Sequence, residues 1–453
     1  MRIKIERIGI NGEGVALLSG GECDNKVCFI ENALPAEEVD VTIVSNKKKF
    51  CVAKVNKIIS SSPHRLVSPC KYFGVCGGCD IQHMDTSLQM EIKKNNIADT
   101  IKKITGQVVK VDNVIRLNDY GYRNKMVFPF ANENGKNILG MFEKNTHKVV
   151  DIDKCLLASD NLNKFLQLSK DFFKKSNYKG YDFKNKKGDI KYSVARESGD
   201  TILVTIVATR KLKLDDYYSY LTKYFSKVGL SLVISNSSDE IMSGKYIHLF
   251  GEEYLELEEF GLKYKLDNRG FLQVNNEIKH YLYEYILNEI ESNSQVVDAY
   301  SGAGLLSAII SKKCREVVGI EINKSASDSA KELAKVNNLK NINFVCGDVK
   351  DNLKNVISNF NDCIVVLDPP RAGVDGSILN LINDLSINNM PTSSQNVTDC
   401  RIHKIIYISC NPATLARDLK ILTHEYNITH ITPMDMFPQC RHCEVVTILE
   451  SKK

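Results

Sequence analysis

The apolar residues of the C-terminal half fall in short continuous runs, and each run stops at or beside a residue that carries chemistry. Gln295-Val296-Val297-Asp298-Ala299-Tyr300, Glu316-Val317-Val318-Gly319-Ile320-Glu321, Asn343-Phe344-Val345-Cys346-Gly347-Asp348, Cys363-Ile364-Val365-Val366-Leu367-Asp368 and Ile405-Ile406-Tyr407-Ile408-Ser409 predict five strands. The tight loop Ser301-Gly302-Ala303-Gly304 leads from the first of them into a helix opening at Leu305. The segment 266–453 therefore reads as a doubly wound, Rossmann-like α/β domain. Residues 1–60 differ: short β-type runs punctuated by Gly9, Gly12, Gly14, Gly20 and Gly21 predict a small β-barrel. Residues 61–265 are mixed and strand-rich, a central α+β domain. Within it Leu88, Ile92, Ile97, Ile101 and Ile104 form a stripe at helical spacing over about 86–106, with Thr86 as the cap candidate. The polar tract Asn388-Asn389-Met390-Pro391-Thr392-Ser393-Ser394-Gln395-Asn396 interrupts the last domain as a surface loop, and no internal repeat is visible.

A chain of 453 residues accommodates about three domains, which suits that division. Its start, Met1-Arg2-Ile3-Lys4-Ile5-Glu6-Arg7, is polar, and no run reaches membrane-spanning length. Fourteen cysteines in so long a chain point to a reducing cytoplasm rather than to a disulfide-stapled secreted domain. The glycosylation-type triplet Asn396-Val397-Thr398 has no meaning there. A net charge of +5 does not demand a nucleic-acid partner, yet the basic residues cluster. Residues 41–65 hold Lys47, Lys48, Lys49, Lys54, Lys57 and Arg65 and no acid. A second stretch from Phe172 to Lys187 interleaves lysines with Phe173, Tyr178, Tyr181 and Phe183, and Tyr122-Arg123-Asn124-Lys125 is a third. Lysines so placed suit phosphates and the rings suit unpaired bases; the competing reading is a solvated face over buried aromatics.

The strand ends narrow the chemistry. Open parallel sheets bind ligands outside the carboxyl ends of their strands, so Asp298, Glu321, Asp348, Asp368 and Cys410 would share one edge. Glu321 lies at roughly the 20-residue offset from the glycine loop at which such folds place an acid for ribose hydroxyls. A single strand-end acid can instead cap the next helix, but the recurrence favours a cofactor site. The absence of a longer phosphate cradle beyond Gly304 favours S-adenosylmethionine over a dinucleotide. Cys410 would stand before a helix N-terminus, which lowers a thiol pKa, whereas an ordinary buried cysteine is a small hydrophobe.

A second cluster is spaced C-x5-C-x2-C: Cys70, Cys76 and Cys79, with Cys155 as a fourth ligand candidate. Gly74, Gly77 and Gly78 let the loop wrap tightly and turn N–H groups toward sulfur, which suits zinc or a [4Fe-4S] cluster alike. The C-x3-C-x2-C spacing of radical enzymes is not met.

Asp368-Pro369-Pro370-Arg371, Ser409-Cys410-Asn411-Pro412 and Phe437-Pro438 followed by His442-Cys443-Glu444 together resemble the S-adenosylmethionine-dependent RNA uracil-C5 methyltransferases, over nearly the whole chain. That resemblance implies Cys410 as nucleophile and Glu444 as base, with Gln273, Tyr300, Glu321, Asp368 and Asp348 as cofactor contacts. It implies an iron–sulfur cluster on Cys70, Cys76, Cys79 and Cys155, and a TRAM-like RNA-binding barrel at residues 1–60. By the same resemblance the helix near 86–106 packs on the methyltransferase domain, and the substrate is a uridine of 23S ribosomal RNA, with no obligate protein partner. Cys440 and Cys443 depart from the Thr and Val usual in relatives. The chemistry needs both site residues. A thiolate adding to C6 makes C5 nucleophilic toward a sulfonium methyl, and a base must then take the C5 proton before the thiol leaves. The rivals are the same reaction on transfer RNA, an amino N-methyltransferase, which needs neither Cys410 nor Glu444, and a non-catalytic RNA-binding protein.

Overall fold

The computed structural model describes residues 1–19, 23–235, 240–386 and 401–452. The polar tract 388–396 lies outside them.

The predicted runs of the last domain are strands of one seven-stranded sheet. Its order is Ile342–Cys346, Glu316–Glu321, Gln295–Ala299, Asp362–Leu367, Arg401–Ser409, Glu444–Ser451, Tyr426–Met434. The first five are parallel, and the last two join antiparallel. Alternate side chains leave opposite faces of a strand, and here both faces are apolar. Val297, Val365, Leu367 and Ile405 enter one core, while Val296, Ile364, Val366 and Ile406 enter the other. Continuous apolar runs are thus what burial on both sides requires.

The N-terminal region is a six-stranded sheet, with Glu38–Asn46 and Phe50–Ser60 as its long hairpin and Ile30, Val39, Val41 and Ala53 in its core. The central region is a seven-stranded mixed sheet whose helix Asp160–Lys174 buries Leu162, Phe165, Leu166 and Phe173 against it. A short hairpin, Leu255–Glu259 with Leu262–Leu266, follows.

The striped helix spans Thr86–Thr105. Asp85, not Thr86, caps it, accepting from the Leu88 N–H at 2.8 Å, and Gly106 closes it at φ 78°. An aspartate one residue earlier already sits in extended backbone with its carboxylate over the first turn, so Thr86 becomes the first helical residue. Ile97 and Ile101 are buried in the core of the last domain, and Leu88 and Ile92 pack with Leu34, in the N-terminal connection between the strands Val27–Glu31 and Glu38–Asn46. Each such side chain contributes about 1.5–3 kcal/mol of burial, so this helix pins three regions together. Among the described residues no helix is long and apolar enough to cross a membrane.

Candidate active site

The strand Arg401–Ser409 carries Cys410 to the carboxyl edge of the sheet, and Asn411 turns the chain into the helix Pro412–Leu422. Asn411 caps that helix through the Ala413 N–H at 3.0 Å, while Ser409 Oγ accepts the Asn411 N–H at 3.1 Å. The neighbouring strand runs the other way, with Ser409 opposite Val445, so its first residue, Glu444, lies beside Cys410. The two residues are far apart in sequence and are brought together by register alone.

Their electrostatics are coupled. Glu444 is 6% exposed, and burial pushes its carboxyl up to about 8, with the charge of Asp368 adding and that of Arg371 opposing. The Cys410 thiol is also pushed up, by burial first and by Glu444 second, with Arg371 against the sulfur working the other way. This corrects the expectation that the helix N-terminus holds this thiol low. Desolvation and a neighbouring carboxylate outweigh it. Arg371, the last residue of the Pro-Pro-Arg turn, favours the charged form of both groups, a role the sequence did not disclose.

The other predicted residues that end or follow strands line the same edge. Asp368 follows the strand Asp362–Leu367, and burial lifts its carboxyl to about 7. Asp298, buried within its strand and hydrogen-bonded to Ser307 Oγ, is lifted to about 7 as well, by burial and then the charges of Asp368 and Glu321. Glu321 accepts from the Gly302 N–H at 2.9 Å and the Asn323 N–H at 2.7 Å, fixing the glycine loop against the second strand. Tyr300 stands at φ 75°, its ring partly buried and its hydroxyl pKa raised by burial. Asp348 caps the helix Val349–Ile357 through the Lys350 N–H at 2.9 Å, so one of its oxygens has a structural use. Gln273 lies in the segment before the helix Asn276–Asn288, and its carbonyl accepts from Asn124 Nδ2 at 3.1 Å. This donor set, a row of acids above a glycine turn, fits a cationic nucleoside such as S-adenosylmethionine, whose sulfonium and amino groups favour ionised carboxylates.

The four cysteines line one small cavity of about 30 Å³, together with Tyr72, Gln82 and Arg123. Gly78 N–H points at Cys76 Sγ at 3.4 Å and Gln82 Nε2 at Cys79 Sγ at 3.1 Å, the N–H···S donors that thiolate ligands attract. Burial is the largest cause raising the thiols of Cys76 and Cys155. Among the described residues no set of three or more cysteine, histidine or acidic groups converges at metal-binding distance.

The basic stretches divide. Lys47, Lys48, Lys49, Lys54 and Lys57 are exposed on the N-terminal hairpin. Arg65 is not available: it ion-pairs with the fully buried Glu37 at 2.5 Å. In the second stretch Phe173 is buried against Phe130 and Tyr217, and Phe183 packs on Phe142 and Tyr192, while Phe172, Tyr178, Tyr181 and Phe183 remain half-buried beside the lysines. Tyr122, Asn124 and Lys125 are internal joints, bonded to Pro438 O, Gln273 O and Asn268 O, and no surface for RNA.

Residues 85–452 match the family described as tRNA (Uracil-5-)-methyltransferase, and residues 1–55 match the TRAM domain. An RNA methyltransferase of uncharacterised function from Caldanaerobacter subterraneus is 32% identical over 99% of this chain and 98% of its own. Another, from Clostridium tetani, is 30% identical over 98% and 95%. The tRNA (uracil-54, C5)-methyltransferase of Pyrococcus abyssi, solved with S-adenosyl-L-homocysteine, superposes with a TM-score of 0.76 at 25% identity, over 99% of this chain and all of that one. The chain therefore belongs to the tRNA (uracil-5-)-methyltransferase family and is an S-adenosylmethionine-dependent RNA methyltransferase that opens with a TRAM domain.

Proposed function

We propose that this protein methylates C5 of a uridine in 23S ribosomal RNA through a covalent bond between Cys410 and C6 of the base. The observation that carries the chemistry is the cross-strand placement of Cys410 beside Glu444, with Arg371 acting on both. Addition of the Cys410 sulfur to C6 pushes the ring electrons toward C5 and O4. S-adenosylmethionine supplies an electrophilic methyl group. Once C5 carries it, Glu444 takes the C5 proton, the C5–C6 double bond re-forms, and the C6–S bond breaks to return the thiol. A carboxyl near pKa 8 suits the base, since it holds a proton tightly without leaving the neutral range. The proposed roles of Gln273, Tyr300, Glu321, Asp368 and Asp348 are to hold the cofactor along the sheet edge. The base must be unpaired or flipped, because C6 is shielded in a stack.

In the same reading, Cys70, Cys76, Cys79 and Cys155 hold a [4Fe-4S] cluster. Their common cavity and the two N–H···S donors support it, and methyl transfer itself calls for no electron. The choice of ribosomal RNA rests on the resemblance carried by the C-x5-C-x2-C run. The N-terminal barrel does not bear on the choice, since the Pyrococcus abyssi transfer RNA enzyme aligns over the full length. Transfer RNA is accordingly the second reading. RNA containing 5-fluorouridine tests the chemistry, because fluorine cannot leave C5 as a proton: a denaturation-resistant adduct that Cys410→Ala abolishes is expected, and its absence overturns the mechanism. Methyl incorporation into protein-free ribosomal RNA against total transfer RNA decides the substrate, and labelling of transfer RNA alone overturns the first choice.

A further inference from the structure

We infer that Gln89 and Lys93, on the helix Thr86–Thr105, are positioning residues for Glu444 and control the proton-abstraction step specifically; this rests on the reading of Glu444 as the base. The strands Tyr426–Met434 and Glu444–Ser451 are joined by the segment 435–443, whose end sets where Glu444 enters its strand. The segment's two ends are tied to Met434 of its own sheet, by the Met436 N–H at 2.8 Å and the Cys443 thiol at 3.2 Å, and between them it is held from outside that sheet. Lys93 Nζ donates to Asp435 Oδ1 at 2.5 Å and to the Phe437 carbonyl at 3.3 Å, and the side chains of Lys93 and Asp435 are both 0% exposed. Arg116 Nη1 reaches Asp435 Oδ2 at 3.1 Å and Gln89 Oε1 at 2.8 Å. Gln89 Nε2 then donates to Gln439 Oε1 at 3.0 Å, which closes a buried ring of polar contacts between helix and segment.

The ring holds the segment where its backbone is least at ease. Gln439 has φ 69°, a left-handed conformation that a side chain other than glycine adopts only when its surroundings impose it. Besides Gln89, the N–H groups of Asp80 and Ile81 grip the Gln439 carbonyl at 3.1 and 3.2 Å, and Tyr122 Oη donates to the Pro438 carbonyl at 2.9 Å. Removing a neutral clamp lets this turn relax, and Glu444, a few residues on, moves with it. Cys410 sits on a different strand that the ring does not touch, so addition to C6 and methyl transfer are spared.

The experiment uses Gln439→Leu, which removes only a neutral contact, and Gln89→Met, which also takes an acceptor from the Arg116 guanidinium, beside Lys93→Met, which leaves Asp435 partly uncompensated and is judged only if it folds. Each full-length variant is assayed on substrate RNA carrying uridine or [5-²H]uridine. S-adenosylmethionine binding and the rate of adduct formation should match the parent, adduct release should slow about tenfold or more, and a primary deuterium isotope effect should appear on turnover as C5–H cleavage becomes limiting. Parental release rates and isotope effects in both glutamine variants overturn the inference, as does an equal loss of adduct formation and release. If the unmodified protein forms no adduct with 5-fluorouridine RNA, the uracil mechanism itself fails and this inference with it. An adduct that forms and releases normally in the variants sinks the positioning role alone.

Discussion

At the scale of single residues, the pair Cys410 and Glu444 separates the two halves of the proposed reaction. Cys410→Ala should abolish methyl transfer and adduct formation while S-adenosylmethionine still binds, which calorimetry and an RNA gel would show together. Glu444→Gln should form the methylated adduct and release it about 10²–10⁴-fold more slowly. The acid–base balance gives a further expectation. Glu444 works as a base only when ionised, and its carboxyl is held at about 8, so adduct release should rise with pH up to that value and level off above it. A pH profile of single-turnover release that is flat from pH 6 to 9 would remove Glu444 from the role. The same buried acids set a stability trend. Asp298, Asp368 and Glu444 keep protons in the folded chain that the unfolded chain gives up near pH 4, so their contribution to stability is complete below that range and falls as pH rises through about 7 to 8. The cofactor-free protein should therefore melt at a lower temperature at pH 8 than at pH 6.

At the scale of elements, the doubly wound sheet was the easiest part to read. Strands buried on both faces must be apolar nearly throughout, and their ends must be polar because that is where the chain emerges; the runs ending at Glu321, Asp368 and Ser409 obey this directly, while Asp298 is a buried exception inside its strand. What could not be read is what depends on register or on distant partners. Nothing in the local pattern opposes Cys410 to Glu444, and nothing near Lys93 announces an ion pair with a residue 342 positions away. The apolar stripe of that helix shows which face is buried, but Gln89 and Lys93 also lie buried, and their polarity suggests the opposite until Asp435 and Gln439 are seen. The aromatic-basic stretch left two readings open for a related reason: rings next to lysines look alike whether they stack on bases or on Phe130 and Tyr217, and Phe173 takes the second course. The cysteine loop is an element with its own test. Protein purified without oxygen should carry iron and sulfide, and Cys76→Ser should lose both. Zinc at one per chain with no iron would replace the cluster by a zinc site.

At the scale of the whole molecule, Lys47, Lys48, Lys49, Lys54 and Lys57 of the N-terminal hairpin form a run of exposed positive charge that suits RNA phosphates. Replacing Lys47, Lys48 and Lys49 by alanine should leave thermal stability unchanged and weaken RNA binding, with the slope of log affinity against log salt falling by about 0.7 for each phosphate that is no longer neutralised. An unchanged slope would mean that this hairpin points away from the RNA.

The order of strands also bears on how the protein is made. Glu444–Ser451 comes later in the chain than Tyr426–Met434, yet it lies between that strand and Arg401–Ser409. Until it arrives, two strands hold an open slot with unpaired backbone on either side, an invitation to pair with other chains. A product cut short before Glu444 would therefore lose its base and its solubility together. Faulty copies would tend to be removed as aggregates rather than persist as proteins able to seize a nucleotide and unable to let it go.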